Sequence, residues 1–313
     1  MASLTADDCS DTSNPGTLVK KLAPPALPDW LDQKIPFERY TVQVGHKKMH
    51  VMEHGQGQPV LMIHGNPTWG FLWRKVASQL DPTQFRCIMP DLIGLGLSDK
   101  PRSMHAHTLE NHSGWLGALV DGLDLEDVIL VAQDWGGPIG MLTMASRPER
   151  LSGIVLGNTA VSEPREGFKA TAFHRFSQTP IISDLAFRVL GFPQIALGMA
   201  QGDKKSISGD VARAYRWPLR SIGDRAAPLA LARMVPDTME HHSIEPLKRV
   251  REFYTEADVP VSLVWGTNDP ILGGVLGWAR KLRPDAKVVE TDAGHFLQEE
   301  VPDELAAAIR SLG

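Results

Sequence analysis

The sequence predicts an α/β protein: a mostly parallel sheet with helices on both faces and a helical insertion before the last strands. Three observations carry this. Short apolar runs recur along the chain, amphipathic segments separate them, and the alternation lapses once, between about residues 160 and 240. A strand that is apolar on both sides needs cover on both faces, and the crossovers that join parallel strands supply helices to provide it.

From residue 39 to 54 polar and apolar residues alternate around His46-Lys47-Lys48, which reads as a hairpin at the edge of the sheet. Pro59 to Ile63, Arg86 to Met89, Val128 to Ala132 and Ile154 to Leu156 read as the next strands. Between them, Leu109, His112, Leu116, Leu119, Val120 and Leu123 recur at three- and four-residue spacing and predict a helix over 109–123. Beyond the insertion, Val261 to Trp265 and Lys287 to Glu290 read as strands, and Val275 to Leu282 and a segment from about Pro302 as helices. The expected organisation is an N-terminal arm over 1–38, a core domain formed by 39–159 and 241–313, and a helical cap over 160–240. The first 25 or so residues, rich in Ser, Thr, Asp and Pro, are expected to be loosely held.

A chain of 313 residues buries a sizeable core without covalent staples, and its two cysteines, Cys9 and Cys87, stand far apart. Free thiols and a cytoplasmic location are the natural expectation, although a single disulfide is compatible with the count. The formal net charge of −5 gives no general attraction to nucleic acid or to anionic membranes. Neither a leader-like N-terminus nor an apolar stretch of about 18 residues is found.

The chemistry concentrates at the ends of predicted strands. Val131-Ala132-Gln133-Asp134-Trp135-Gly136-Gly137 has the form of a sharp strand-to-helix turn that exposes a nucleophile between small residues, with a carboxylate at the exposed position. Asp134 alone reads equally well as a helix N-cap. Two further strand ends add to it: Gly266-Thr267-Asn268-Asp269, and Asp292-Ala293-Gly294-His295. A parallel sheet places these ends on one side, where ligands bind in such folds. Singly, Asp269 reads as a turn cap and His295 as a surface histidine; together they supply an acid and a base in the order nucleophile, acid, histidine. The loop His64-Gly65-Asn66-Pro67-Thr68-Trp69 is positioned to aim the backbone N–H of Asn66 at the nucleophile, with the N–H of Trp135 completing an oxyanion hole. His64 reads as an anchor of that loop, and Asp91 as structural.

An aspartate nucleophile suits attack on saturated carbon. A serine would leave an ether there, which activated water does not readily cleave, whereas a carboxylate leaves an ester. Aspartates ordinarily have a pKa of about 3.9 and need no base for the attack. The base acts in the second step, when His295, held by Asp269, activates water against the ester carbonyl. The indole N–H of Trp135 and the carboxamide of Asn66 are uncharged donors suited to a departing halide, which accepts charge but takes no proton. An epoxide would need an acid for its opening oxygen, usually a phenol from the cap, and only Tyr215 of the three tyrosines lies in the insertion.

In HGNPTW, PDLIGLGLSDKP, VAQDWGG, VWGTNDP and DAGHFLQEE the sequence resembles the haloalkane dehalogenases, from about residue 40 to the end. The resemblance implies an α/β-hydrolase fold, Asp134 as nucleophile, His295 as base, Asp269 as acid after the seventh strand, and Asn66 with Trp135 as the halide-binding pair. Near Gly157-Asn158-Thr159, where other members place the acid, there is no carboxylate. It implies hydrolytic dehalogenation of a small apolar halogenated substrate through an alkyl-aspartate ester, with water consumed and halide released. The alternatives are an epoxide hydrolase with the same three residues, or a ligand-binding member of the fold without turnover. No cofactor, metal or nucleic-acid partner is implied, and Phe168, Phe173, Phe176 and Leu185 are candidates for both core and tunnel lining.

Overall fold

The computed structural model describes residues 19–165, 167–168 and 172–313. Eight strands form one sheet: β1 (Glu38–Val44), β2 (Lys47–His54), β3 (Gln58–Ile63), β4 (Phe85–Pro90), β5 (Val128–Asp134), β6 (Leu151–Thr159), β7 (Val261–Gly266) and β8 (Lys287–Thr291). Their order across the sheet is β1-β2-β4-β3-β5-β6-β7-β8. β1 and β2 form the antiparallel edge expected from the alternation around His46, β2 runs antiparallel to β4, and the remaining pairs are parallel.

From β3 the chain passes outward to β4 and then returns to β5 on the other side of β3. This reversal opens a crevice at the strand ends, and that is where an open parallel sheet binds ligands.

The wholly apolar strands pack on both faces, as their composition requires. Side chains alternate between two cores: Leu61, Ile63, Leu130 and Ala132 enter one, and Val60, Met62, Ile129 and Val131 enter the other. Each buried Val, Leu, Ile or Met side chain contributes on the order of 2 kcal/mol of hydrophobic stabilisation. Cys87 lies in the second core as a free thiol, and burial raises its pKa to about 12, so it is inert as a nucleophile. Cys9 lies outside the described residues.

The helix Leu109–Gly122 starts at Thr108, whose hydroxyl accepts the Asn111 N–H, and buries the predicted stripe of Leu109, His112, Leu116, Leu119 and Val120. One helix of the core was not anticipated, Ile244–Glu256, which buries Ile244, Leu247, Val250 and Tyr254. Within the stretch expected to be an arm, residues 19–38 are packed: Leu22 pairs with Thr41, Leu31 is fully buried, and Trp30 meets Trp217 edge-on.

Between residues 160 and 240 the described segments are short helices, among them Ala172–Ser177, Gly209–Arg216 and Ala226–Arg233. The first and last of these meet in a small apolar cluster in which Phe176 and Phe192 pack around Phe187, Leu229 and Ala232. Gly209–Arg216 is fastened to the body at its inner face. The Tyr215 hydroxyl donates to Glu299 at 2.6 Å, and the Trp69 indole donates to the Ala214 carbonyl at 3.2 Å. Glu299 in turn accepts both Arg74 guanidinium nitrogens, which compensates for burying its charge.

Candidate active site

Asp134 ends β5 with φ of +50°, a backbone conformation that aspartate tolerates better than most residues. It stands at the sharp turn before the helix Gly136–Met144. The turn is possible because its surroundings are glycines. A Cβ on Gly65 would collide with the Asp134 carboxylate, and one on Gly136 with the carbonyls of Ile63 and His64. The HGNPTW loop then lies against the carboxylate, and the Asn66 backbone N–H donates to Asp134 Oδ1 at 2.6 Å.

His64 holds that loop, as the sequence suggested, and Asp91 braces the turn that follows it at Gly70. His64 donates from Nδ1 to the Gly65 carbonyl at 2.9 Å and accepts the Leu92 N–H on Nε2 at 2.9 Å. Burial keeps its pKa below the usual histidine value. Asp91, completely buried, accepts the N–H groups of Gly70 and Leu97 and contacts His50 Nδ1.

The structure brings Asp134, Asp269 and His295 together. His295 Nδ1 lies 2.8 Å from Asp269 Oδ2, and its Nε2 lies 3.6 Å from Asp134 Oδ2. The first contact is a hydrogen bond, while the second is too long to be one. With Nδ1–H directed at a carboxylate, Nε2 is the nitrogen that becomes an acceptor when the ring loses a proton. Asp269 is fixed from two further sides, accepting the Ile271 N–H and the Asn158 carboxamide at 2.7 Å each.

Asn158 sits at the end of β6, at the position where the sequence lacks a carboxylate, and it also pairs with both backbone groups of Gly266. Gln133 was another residue not foreseen. Its Nε2 donates to the His295 carbonyl at 3.0 Å and lies 3.2 Å from His295 Nε2.

Two influences therefore oppose each other at His295. Burial disfavours its charged form, but the carboxylates of Asp269 and Asp134 outweigh burial and push its pKa up to about 10. Burial likewise raises Asp269, and the contact with His295 outweighs it, leaving Asp269 below the usual carboxylate range. The raised His295 pKa stabilises the fold fully below about pH 6.5, the unfolded value, and that contribution is lost as pH rises through about 10. The Gln133 amide works the other way, because a donor aimed at Nε2 favours the unprotonated ring.

A cavity of about 950 Å³ opens above these groups, lined by Asn66, Trp135, Phe168, Phe192, Leu247 and Trp278 among others. The Trp135 indole N–H has no hydrogen-bond acceptor among the described residues, whereas the Asn66 carboxamide donates one of its two N–H bonds to the Pro228 carbonyl at 2.9 Å. Of the two N–H groups expected to form an oxyanion hole, that of Asn66 is within hydrogen-bond distance of Asp134, and no such bond is formed by that of Trp135.

Among the candidates for tunnel lining, Phe168 lines the cavity, Phe176 packs in the cap cluster, and Leu185 is 53% exposed. The Phe173 side chain lies outside the described residues. Among the described residues no tyrosine lines the cavity; His174, on the cap helix Ala172–Ser177, does.

Two cap-side contacts hold the histidine loop. The His295 N–H donates to the Ala200 carbonyl at 2.8 Å, and the Gln201 carboxamide clasps both backbone groups of Phe296.

Residues 58–302 match the family model described as alpha/beta hydrolase fold, and the chain belongs to that family. Within it, the chain groups with the haloalkane dehalogenases and their relatives. It is 31% identical over 294 residues to haloalkane dehalogenase 2 of Mycobacterium tuberculosis, covering 88% of this chain and 95% of that protein. It is 33% identical over 297 residues to the cis-3-alkyl-4-alkyloxetan-2-one decarboxylase of Shewanella oneidensis, covering 90% and 89%. Among solved structures, a haloalkane dehalogenase of Agrobacterium tumefaciens superposes with a TM-score of 0.77 at 25% identity, over 88% of this chain and 95% of that one.

Proposed function

We propose that the protein hydrolyses haloalkanes to an alcohol and a halide through an ester on Asp134. The observation that carries this reading is the Asp134–His295–Asp269 constellation beneath an apolar cavity, with Trp135 among the residues that line it. Asp134 attacks the halogen-bearing carbon, and the bond to the halogen breaks as the new C–O bond forms. Trp135 and the remaining Asn66 N–H stabilise the departing ion. His295 then takes a proton from water as that water attacks the ester carbonyl, and the Asn66 backbone N–H stabilises the charge that develops on the former Asp134 oxygen.

The charges around His295 fit this sequence. Ester formation neutralises Asp134 and removes one of the two carboxylates that keep the imidazole protonated. The ring then releases its proton more readily, at the stage when a base is needed. In single-turnover experiments the decay of the ester is expected to accelerate with rising pH and reach a plateau below pH 10, while ester formation lacks that rising limb. Identical pH profiles for the two steps would contradict the assignment of His295.

The direct test is incubation with 1-bromohexane, in which bromide and hexanol are expected in equal amounts over many turnovers. Bromide without hexanol, or neither, counts against the proposal. A second reading rests on the decarboxylase relative. A four-membered lactone also offers a saturated carbon, here bonded to a carboxylate leaving group. Asp134 would open it; the carboxylate would then leave as CO₂, its bonding pair forming a double bond as the Asp134 oxygen departs. That route consumes no water, so alkene and CO₂ from a dialkyl-oxetan-2-one, with turnover retained after replacement of His295, would favour it.

A further inference from the structure

Large exposed apolar side chains gather on one part of the cap. The short helices Ile182–Asp184 and Leu185–Val189 run on continuously, and Ile181, Ile182, Leu185, Val189 and Leu190 on or beside them are all exposed, Ile181 by 82% and Leu190 by 62%. Ile182, Leu185 and Val189 recur at three- and four-residue spacing and form a stripe, whereas Phe187 of the same helices is fully buried in the cap cluster. Ile222, also exposed, lies in the turn Ile222–Asp224 that packs against Leu185–Val189. Past Gly191 the chain adds Ile195 and Met199, which are 61% and 78% exposed. Chains that remain monomeric in water seldom leave so much apolar surface bare in one place.

Met199 belongs to two surfaces. It lines the cavity together with Phe192, Pro193 and Ala196, and a cavity-lining residue so exposed marks the mouth. The apolar stripe therefore leads to the opening of the site.

The charge around the stripe is predominantly positive. Between residues 172 and 225 there are eight Lys and Arg against four Asp, in a chain whose net charge is −5. Arg188 stands on the stripe's own helix, and Arg225 is fixed beside it by donating to the carbonyls of Arg188 and Val189. Lys204 and Lys205 are exposed, on a loop whose Lys204 carbonyl lies against Gly198, next to Met199. Two of the four carboxylates are already paired, Asp184 with Arg233 and Asp210 with Lys34.

We propose that this face of the cap docks on an anionic lipid surface, the apolar stripe entering the acyl boundary and the basic side chains meeting the headgroups. Apolar side chains bordered by Lys and Arg have the composition that lies in such an interface. A second copy of the chain fits less well, because a symmetric contact would set two basic faces against each other. Docked in this way, the mouth at Met199 opens toward the lipid, where an apolar substrate concentrates. That last consequence rests on the dehalogenation reading; the docking itself does not.

The test is flotation of the whole protein with vesicles of equal parts phosphatidylcholine and phosphatidylglycerol, compared with phosphatidylcholine alone. Wild type is expected to float with the mixed vesicles at low salt and to bind the neutral ones about tenfold less. Ile181→Ser combined with Leu190→Ser, both at exposed positions, is expected to lower binding at least tenfold. Lys204→Glu combined with Lys205→Glu, which leaves the stripe intact, should lower it by a similar factor. Wild type that does not float overturns the proposal, as does a serine variant that floats equally well or equal binding to both kinds of vesicle. A wild-type dimer that the serine pair disrupts, without flotation, would assign the face to a second copy instead. Bromide release is read separately: from 1-bromohexadecane held in the mixed vesicles it should fall in the serine variant, while release from dissolved 1-bromobutane should not. Flotation by a wild type that frees no bromide from either compound would sustain the docking and count against dehalogenation alone.

Discussion

Replacing His295 with Gln is expected to convert the enzyme into a reagent that reacts once. Attack by Asp134 does not involve the imidazole, so a bromoalkane still releases one equivalent of bromide per chain. Hydrolysis then stalls, because the general base contributes about 10²–10⁴-fold to such a step. Mass spectrometry of the denatured protein should show one added alkyl group, confined on digestion to the peptide carrying Asp134. An unmodified protein, or alkyl groups spread over several residues, would defeat the ester mechanism. Gln suits the experiment because it keeps much of the ring's volume beneath a loop held by Ala200 and Gln201.

Asp269→Asn is expected to lower steady-state turnover by about 10³–10⁴-fold, the scale seen when a buried acid that fixes a histidine tautomer is made neutral. The carboxamide turns one N–H toward the ring or toward Asn158, and Asn158 already donates to this position at 2.7 Å. Two donors then face each other, and the imidazole is free to place its proton on Nε2, where it is useless as a base. The raised His295 pKa should also fall, since Asp269 is the largest of the charges that sustain it. A bromide burst of normal size followed by a nearly stalled steady state is the signature to measure. If Asp269→Asn slows the burst and the steady state alike, Asp269 acts on the fold rather than on the base.

Much of this was legible in the chain, for reasons that can be named. The strands of the parallel sheet announce themselves because both of their faces are buried, so Val60 to Ile63 and Val128 to Ala132 carry no polar interruption. Asp134, Asp269 and His295 stand out because each follows such a run, and strand ends in this topology converge.

The helix Ile244–Glu256 was missed although Ile244, Leu247, Val250 and Tyr254 carry the right spacing. Pro246 looks like a breaker, yet it falls in the first turn, where no N–H is owed to the helix. Asn158 and Gln133 gave no signal, since a carboxamide beside a strand is unremarkable until its partners arrive from β7 and the His295 loop. His174 was invisible for a related reason. The cap's helices are too short to impose a period, so whether a residue faces the cavity, as Phe168 does, or solvent, as Leu185 does, is decided by packing alone.

The clasp between Gln201 and Phe296, together with the bond from His295 to Ala200, bears on how this scaffold can be re-engineered. A chimera that imports a foreign lid over 160–240 would also replace the strap on which His295 is hung. Such a hybrid inherits a wandering imidazole unless the donor brings an equivalent amide at that spot. Exchanges that stop short of residue 197 leave the strap intact and are the ones expected to alter substrate range without crippling turnover.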